Sequence, residues 1–263
     1  MVKAATTPQD RMRLDDAVIV VTGAGGWIGA GIARSAARAG ARLVLHYRSA
    51  GEAARALADE LGAEGTEVAT AQADIAEETG ARAIVDAAVS AFGRLDGVVN
   101  NAGIQPLSDL LSLSAEAFRE VVDVNLTGTH LVTVAAVRRM VEQGTGGSIV
   151  QIASLEGSQP ARNHGHYNAA KAGVINHARA AALEFGEHGI RVNCVSPGVI
   201  GRPGIEDAWP DGVHRYTSAS PLGRLGAPQD VGDACVFLLS DAAAWITGIN
   251  LPVDGGVSSH PTY

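Results

Sequence analysis

The sequence predicts an α/β fold built on a parallel β-sheet. Short β-branched runs alternate with helical patterns along the chain, and such an alternation packs as a parallel sheet with right-handed crossovers. The first of these runs ends in a glycine-rich turn that opens a helix. A length of 263 residues and a hydrophobic content of 46% are enough for one large core, so we expect a single domain over residues 1–263.

The first strand is predicted at 17–21, after a polar segment, 1–12, that we expect to be a flexible tail. The turn that follows it reads Thr-Gly-Ala-Gly-Gly-Trp-Ile-Gly over 22–29, and a helix of small residues continues to Ala39. A strand, a glycine turn and a helix in this order bring backbone N–H groups and a helix N-terminus toward a phosphate. A tight turn without a ligand is the alternative, but the position directly after the first strand favours dinucleotide binding.

The second strand is predicted at 42–47 and leads into Arg48 and Ser49. At this point of a dinucleotide-binding fold an acidic residue binds the ribose 2′-hydroxyl, whereas an arginine can hold a 2′-phosphate. Because the acid is absent, the pair favours NADP(H) and leaves NAD(H) open, and a solvated surface charge is the alternative role of Arg48. The third and fourth strands are predicted at 67–72 and 96–99, and they lead to Asp74-Ile75 and Asn100-Asn101-Ala102-Gly103.

The second half of the chain continues the alternation. A helix is predicted over 118–141 and contains Asn125 among apolar residues, where an asparagine could merely satisfy backbone groups. Further strands are predicted at 147–152, 191–195 and 248–253, with helices ending near 187 and spanning 230–240. The polar and aromatic segment 201–220 interrupts this pattern, and we expect it to be a mobile substrate lid.

Tyr167 and Lys171 lie four positions apart on a predicted helix and therefore share one face. An ammonium roughly 4 Å from a phenol, at an effective dielectric near 20, favours the phenolate by about 4 kcal/mol or about three pKa units. The pair therefore predicts a tyrosine that exchanges protons near neutral pH. An accidental pair on a solvated helix is the alternative. However, only Lys3 and Lys171 among 20 basic residues are lysine, which indicates that a compact point charge is needed here.

Composition argues against several classes of function. The net charge of −8 and the lack of a basic run disfavour nucleic acid as a partner. No apolar run approaches the ~20 residues that span a bilayer, and the first ten residues lack a secretory signal, so we expect a cytoplasmic protein without a membrane partner. Cys194 and Cys235 are too few for a disulfide framework, and no His/Cys cluster has zinc-site spacing, so we expect no metal.

The motifs together closely resemble those of the short-chain dehydrogenase/reductase family. They are the glycine turn, Asp74, Asn100-Asn101-Ala102-Gly103, Asn125, Ser154, Tyr167 with Lys171, and Pro197-Gly198, and the match runs from about Val18 to Gly256. The resemblance implies a doubly wound Rossmann fold with seven parallel strands and a bound nicotinamide cofactor. It also implies reversible oxidation of an alcohol to a carbonyl, on a small-molecule substrate, in a homotetramer.

The resemblance also implies a role for each matched residue. Tyr167 is the general acid and base, Ser154 holds the carbonyl oxygen, and Lys171 lowers the phenol pKa and binds the nicotinamide ribose. Asn125 holds a water molecule that links Lys171 to bulk solvent as a proton relay. The expected cofactor-binding residues are Gly23, Gly25, Trp27, Ile28, Gly29, Arg48, Ser49, Asp74, Ile75, Asn101, Ala102, Gly103, Tyr167, Lys171, Pro197, Gly198, Val199 and Ile200. The positions expected to face the substrate are Gln105, Glu156, Arg162, His164, His166, Trp209 and Tyr216, and their polarity favours a hydroxylated small molecule.

Two positions depart from the family pattern. Trp27 replaces the second glycine of the usual turn, and we hypothesise that it packs along the phosphates, since pteridine reductases of this family also carry a large residue there. Arg202 stands where many relatives have a threonine. The alternatives are an NAD-dependent sugar or polyol dehydrogenase and a non-catalytic nucleotide-binding protein. Acyl-carrier-protein reductases share the motifs, but a net charge of −8 would repel an acidic carrier.

Overall fold

A seven-stranded parallel sheet forms the centre of the computed structural model, which describes residues 7–259. The strands are β1 Val18–Val21, β2 Arg42–Tyr47, β3 Val68–Gln72, β4 Gly97–Asn100, β5 Gly147–Ile152, β6 Ile190–Pro197 and β7 Asn250–Val253. Their spatial order is β3-β2-β1-β4-β5-β6-β7, and every pairing is parallel. The order reverses between β1 and β4, as it does in a doubly wound sheet, so the predicted fold class is confirmed.

Helices cover both faces of this sheet. They are α1 Pro8–Arg11, α2 Trp27–Arg38, α3 Gly51–Ala63, α4 Glu78–Phe92, α5 Ala115–Val122, α6 Gly128–Gln143, α7 Gly165–Phe185, α8 Ile205–Ala208, α9 Pro210–Ala219 and α10 Pro228–Leu239. The core on one face involves α4, α6 and α7, and the core on the other involves α2, α3 and α10. In β1, Val18 and Val20 enter the first core and Ile19 and Val21 the second. Because both faces of β1 are buried, this strand is apolar without alternation.

The register of the sheet brings the carboxyl ends of its central strands to one edge. Val21 lies opposite both Leu45 and Val99, and Ile152 lies opposite Val195. The polar residues that directly follow β1, β4 and β5 therefore gather at that edge, where ligands bind in open α/β sheets.

Three predicted segments differ in the structure. Residues 8–11 of the expected tail form α1, and the Arg11 guanidinium donates to the Asp241 carbonyl oxygen at 2.6 Å, while residues 1–6 lie outside the described part of the chain. The helix expected over 118–141 is divided by a π-helical segment, Asp123–Thr127. The segment 201–220 contains the two short helices α8 and α9. Within residues 7–259, no helix is long and apolar enough to span a membrane.

Candidate active site

The glycine turn after β1 is shaped by two close backbone approaches. Gly23 has a φ of +64°, and a Cβ on it would lie 2.9 Å from the Ala102 Cα. A Cβ on Gly29 would collide with the Gly23 carbonyl oxygen. The helix that follows begins at Trp27, and its N-cap, Gly26, provides no side-chain hydrogen bond. The first N–H groups of α2 are therefore directed toward a potential anion at the sheet edge.

His46 supports this turn through hydrogen bonds, a role that was not predicted from the sequence. Its side chain is buried, its Nδ1 accepts a hydrogen bond from the Gly23 N–H at 3.2 Å, and its Nε2–H donates to the Ala73 carbonyl oxygen at 3.1 Å. Burial lowers the pKa of His46, so the imidazole is neutral in this arrangement. A polar residue inside an otherwise apolar strand, next to a glycine turn, was the signal that could have revealed it.

Arg48 and Asp74 meet where β2 and β3 end. The Arg48 guanidinium lies 3.5 Å from the Asp74 carboxylate, and the Arg48 side chain is exposed while that of Asp74 is partly buried. Asp74 also accepts the Ala76 N–H at 3.0 Å, which fixes its rotamer. An exposed pair of this kind contributes about 0–1 kcal/mol, so a phosphate can compete for Arg48. Ser49 beside it is exposed, whereas Ile75 is buried in the core.

Thr22 joins the ends of β1 and β4. Its hydroxyl oxygen accepts the backbone N–H of Asn101 at 2.9 Å and that of Ala102 at 3.0 Å. The Asn101 amide in turn donates to the Thr22 carbonyl oxygen at 2.9 Å. These reciprocal bonds place the glycine turn and the segment after β4 side by side, as the cofactor assignments of Asn101 and Ala102 require.

A small polar space lies between Lys171 and Asn125. Lys171 is 4% exposed, and its Nζ donates to the Ile152 carbonyl oxygen at 2.8 Å. The Asn125 amide nitrogen donates to Ile104 and Val121 carbonyl oxygens, but its buried Oδ1 has no hydrogen-bond partner among residues 7–259. A buried acceptor without a partner beside an ammonium indicates a position that suits a polar group.

Gly103 keeps this space open. A Cβ on Gly103 would collide with the Asn125 Oδ1 and would lie 3.6 Å from the Lys171 Nζ. The π-helical turn around Asn125 adds to the arrangement, because such turns redirect side chains within a helix and are frequent at functional sites. The sequence identified these three residues, but only the fold shows that they enclose one space.

Ser154 and Tyr167 meet beside the same space. The Ser154 hydroxyl oxygen accepts the Glu156 N–H at 3.1 Å and is also hydrogen-bonded to the Tyr167 hydroxyl. The Lys171 Nζ lies 5.5 Å from the centroid of the Tyr167 ring. The four residues expected from the family pattern, including Asn125, therefore lie around one point at the carboxyl edge of the sheet.

The expected lowering of the phenol pKa is wrong for this structure. Burial raises the pKa of Tyr167 to about 12, because it penalises the phenolate more than the Ser154 hydrogen bond favours it, and the Glu156 charge adds to the increase. Burial also lowers the pKa of Lys171 to about 8. The lowering was expected from the attraction between the ammonium and the phenolate, whereas the loss of solvation dominates for both groups.

Three of the polar residues expected to face the substrate form one network. The Gln105 amide donates to Glu156 Oε1 at 3.0 Å, and His164 Nδ1–H donates to Glu156 Oε2 at 2.8 Å. The His164 ring lies edge-on to Tyr167, with ring centroids 6.1 Å apart. His166 points elsewhere: it is buried, and its Nδ1 accepts the backbone N–H of Tyr167 at 2.9 Å.

The remaining substrate candidates lie outside this network. Tyr216, on α9, donates its hydroxyl to the Asp254 carbonyl oxygen at 2.8 Å and packs over Gly198, which leaves no room for a Cβ there. The Trp209 ring packs on Gly212 within the segment 201–220, and Arg162 is exposed. The Glu156 hydrogen bonds to Gln105 and His164 involve none of these three residues.

Trp27 connects the glycine turn to the segment 201–220. Its indole N–H donates to the Gly201 carbonyl oxygen, and about half of the side chain is exposed. Gly201 also donates its own N–H to the Gly226 carbonyl oxygen at 2.7 Å, next to the buried Ile200. The bulky residue at this point of the turn therefore contacts the first residue of the expected lid, a contact that the sequence did not predict.

Comparison with known proteins identifies the chain's relatives. Residues 23–258 match the family model described as "Enoyl-(Acyl carrier protein) reductase". The L-rhamnose 1-dehydrogenase (NAD(P)(+)) of Azotobacter vinelandii is 40% identical, over 94% of this chain and 98% of that protein. A 2,5-dichloro-2,5-cyclohexadiene-1,4-diol dehydrogenase of Sphingobium indicum is 39% identical, over the same shares of the two chains.

Solved structures agree with these relatives. A short-chain type dehydrogenase/reductase from Mycobacterium marinum superposes with a TM-score of 0.89 at 32% identity, over 97% of this chain and 100% of that one. A 7α-hydroxysteroid dehydrogenase complexed with NADH and 7-oxo glycochenodeoxycholic acid gives a TM-score of 0.89 at 31% identity, over 96% and 98%. The chain is thus a member of the short-chain dehydrogenase/reductase family of NAD(P)-dependent oxidoreductases, which act on alcohols and carbonyls.

Proposed function

We propose that the protein is an NADP(H)-dependent dehydrogenase or reductase that interconverts a small secondary alcohol and its carbonyl, with Tyr167 as the general acid and base. The observation that carries this proposal is the convergence of Tyr167, Ser154, Lys171 and Asn125 on one space at the carboxyl edge of the sheet. A protein that only binds a nucleotide has no need for a phenol, a hydroxyl and a buried amine at the same point.

The residues at the sheet edge fit a nicotinamide dinucleotide. The glycine turn with Gly23, Gly25 and Gly29 and the start of α2 would hold the pyrophosphate, and Asn101 to Gly103 would line the central part. A Cβ on Gly25 would come within 2.8 Å of the Ala50 carbonyl oxygen, so this turn closely approaches the start of α3. When bound, the cofactor supplies or accepts the hydride. We assign the remaining contacts to Ile28, Asp74, Ile75, Pro197, Gly198 and Ile200.

The chain's own residues account for the proton. Ser154 donates a hydrogen bond to the substrate oxygen and orients it toward the Tyr167 hydroxyl. A phenol with a pKa of about 12 is protonated at neutral pH, so Tyr167 is ready to donate to a carbonyl oxygen. Lys171 and a polar group at the Asn125 Oδ1 would return a proton to it. Alcohol oxidation needs the phenolate instead and should therefore become faster as the pH rises.

The relatives support hydroxylated substrates without identifying one. The names of the relatives from Azotobacter vinelandii and Sphingobium indicum specify a sugar and a cyclic diol. The first name also includes both cofactors, so an NAD-dependent sugar or polyol dehydrogenase remains the second candidate. A non-catalytic nucleotide-binding protein is the third.

A substrate panel with both cofactors tests the proposal. The purified protein should oxidise NADPH with a subset of cyclic ketones or aldoses, or reduce NADP+ with the matching alcohols, as followed by nicotinamide absorbance. Turnover with NAD(H) alone would favour the second candidate. Tight cofactor binding without turnover of any substrate would favour the third.

Arg48 provides a test of the cofactor preference. We expect Arg48→Ala to raise the Kd for NADPH by about tenfold or more, because a charge-assisted bond to the 2′-phosphate is lost. The Kd for NADH should change by less than about twofold. Fluorescence titration measures both. Arg82 is a matched control, since it is similarly exposed and pairs with Glu78 at 3.3 Å on α4. Equal losses for NADPH and NADH in Arg48→Ala would contradict the assignment of Arg48 and Ser49 to the 2′-phosphate.

Trp27 provides a separate test of the glycine turn. If its ring packs along the phosphates, Trp27→Gly should raise the Kd for the cofactor by about tenfold, through the lost contact area. Trp27→Phe keeps a ring but removes the donor to Gly201, so it should mainly raise the substrate KM, by about threefold. An unchanged cofactor affinity in Trp27→Gly would show that the ring serves the segment 201–220 alone.

We also propose a cytoplasmic homotetramer. The tendency of the family to form homotetramers supports this assembly. The helices α6 and α7 expose the apolar residues Val141 and Leu183, which interfaces between subunits would cover. Light scattering of the purified protein measures the assembly directly, and the mass of a single chain would contradict it.

A further inference from the structure

Glu156 has spare hydrogen-bonding capacity beside the proposed catalytic tyrosine. A carboxylate offers about four acceptor sites on its two oxygens. Among the described residues, Gln105 occupies one site on Oε1 and His164 occupies one on Oε2. The Glu156 side chain is 20% exposed and that of His164 is 15% exposed, so both groups are partly shielded from water. A ligand that donates hydrogen bonds would satisfy the remaining acceptor sites.

The surrounding chain fixes this group in place. The Glu156 backbone N–H donates to the Ser154 hydroxyl oxygen, so the residue is anchored next to the reacting position. His164 is preceded by Asn163, which has a φ of +63°, and the Asn163 carbonyl oxygen accepts the Ser108 N–H at 2.8 Å. Asparagine is among the few residues other than glycine that adopt the left-handed conformation readily, and here this conformation directly precedes a site residue.

The chemistry of the network selects for hydroxyl donors. His164 Nδ1–H donates to the Glu156 carboxylate, and the carboxylate itself only accepts hydrogen bonds. The network therefore favours O–H groups and disfavours an anionic substituent such as a carboxylate or a phosphate. A substrate would have one oxygen at Tyr167 and Ser154, and the Glu156 backbone is bonded to Ser154, so a hydroxyl on the neighbouring carbon is the group that we assign to Glu156.

From this geometry we propose that Gln105, Glu156 and His164 form a subsite that binds a second, neighbouring hydroxyl of the substrate, and that the enzyme acts on neutral vicinal diols or sugars. The inference rests on the proposed function and deepens it. A substrate without the second hydroxyl would leave the remaining acceptor sites of a partly desolvated carboxylate without a donor, a state that costs more than the loss of a neutral hydrogen bond.

The test compares substrates that differ only in the neighbouring hydroxyl. Cyclohexane-1,2-diol is matched with cyclohexanol, and an aldohexose with its 2-deoxy form, each with NADP+ and NAD+. In the unmodified enzyme, kcat/KM for the better pair should favour the vicinal hydroxyl by about 10- to 100-fold. Glu156→Gln should reduce this ratio to below about tenfold, and Glu156→Ala to about one.

A second glutamate provides the matched control. Glu187 lies 3.8 Å from His188 on the surface at the end of α7, so Glu187→Gln also removes a carboxylate next to a histidine and should keep the original ratio. Turnover with a ratio near one in the unmodified enzyme, or an unchanged ratio in Glu156→Ala, overturns the inference while the proposed function stands. If Glu156→Ala does not fold, the ratio measured for Glu156→Gln provides the test instead. No turnover of any alcohol or ketone with either cofactor overturns the proposed function and this inference together.

Discussion

Replacing Tyr167 by phenylalanine is expected to lower kcat by about 10³- to 10⁴-fold, the usual contribution of a positioned acid and base. The substitution keeps the ring over which Lys171 lies and removes only the hydroxyl that bonds to Ser154. The cofactor affinity should therefore change by less than about threefold. Single-turnover absorbance of the reduced nicotinamide, together with a fluorescence titration of the cofactor, separates the two effects.

Tyr47 supplies the control for this experiment. It is also largely buried at the end of a strand, and its hydroxyl accepts only a bond from Arg55 at 3.1 Å among the contacts of the described residues. Tyr47→Phe should cost less than about threefold in kcat, because it removes one hydrogen bond far from the reacting oxygen. If both variants lose activity equally, or if Tyr167→Phe retains more than about a tenth of the original rate, Tyr167 is not the proton donor.

Lys171→Met is expected to have opposite effects on activity and stability. Activity should fall by at least about 100-fold, since the amine next to the Tyr167 ring and the Asn125 space is lost. Stability at neutral pH should rise, because the buried ammonium is destabilising: burial lowers its pKa to about 8 from an ordinary value of 10.5. The lost bond to the Ile152 carbonyl oxygen offsets part of this gain.

The lowered pKa of Lys171 also predicts how the free energy of unfolding changes with pH. Between pH 8 and 10.5 the unfolded chain keeps the Lys171 proton while the folded chain releases it, so this group makes the free energy of unfolding rise with pH. Over the full window the rise amounts to about 3 kcal/mol at most. Below pH 8 both states are protonated, and the contribution is constant.

Other buried groups make the free energy of unfolding fall as the pH rises. The effect of Lys171 is therefore measured as the difference in this free energy between the unmodified protein and Lys171→Met. Burial raises the pKa of the Cys194 thiol to about 12, and that of Cys235 also increases, so both thiols lower stability above pH 9 as the unfolded chain ionises. Tyr167 does the same above pH 10. We therefore expect the following from urea denaturation at pH 7, 8, 9 and 10. The free energy of unfolding of the unmodified protein should increase relative to that of Lys171→Met only above pH 8. Parallel curves over that whole range would mean that Lys171 is not desolvated in the folded protein.

Local patterns were sufficient for most of the fold. The bounds of β2 and β5 agree with the sequence prediction, because a β-branched run between turn residues has few other ways to be buried. Element ends were less accurate: β6 extends to Pro197 instead of 195, where pairing with β7 continues the strand. The π-helical turn at Asn125 left no trace in the helical periodicity, since it depends on how the helix packs against its neighbours.

The sequence also identified some of the functional polar side chains and missed others. Asn125, Ser154, Tyr167 and Lys171 were found from spacing and family pattern, and three of the seven positions expected to face the substrate lie in one network. Trp209, another of the seven, packs within the segment 201–220. His46 was missed as a support of the glycine turn, because its two partners, Gly23 and Ala73, are far from it in sequence and are brought together by strand pairing.

The sequence by itself determined the parallel sheet, the family and the four polar residues that meet at the carboxyl edge of the sheet, because these follow from local apolar periodicity and from motifs that resemble the family pattern. Only the tertiary structure decided how those residues are solvated. It removed water from Tyr167 and Lys171, so that the phenol pKa rises instead of falling, and it left the buried Asn125 Oδ1 without a hydrogen-bond donor among the described residues. Desolvation depends on every atom packed around a group, and that sum is set by contacts between distant parts of the chain.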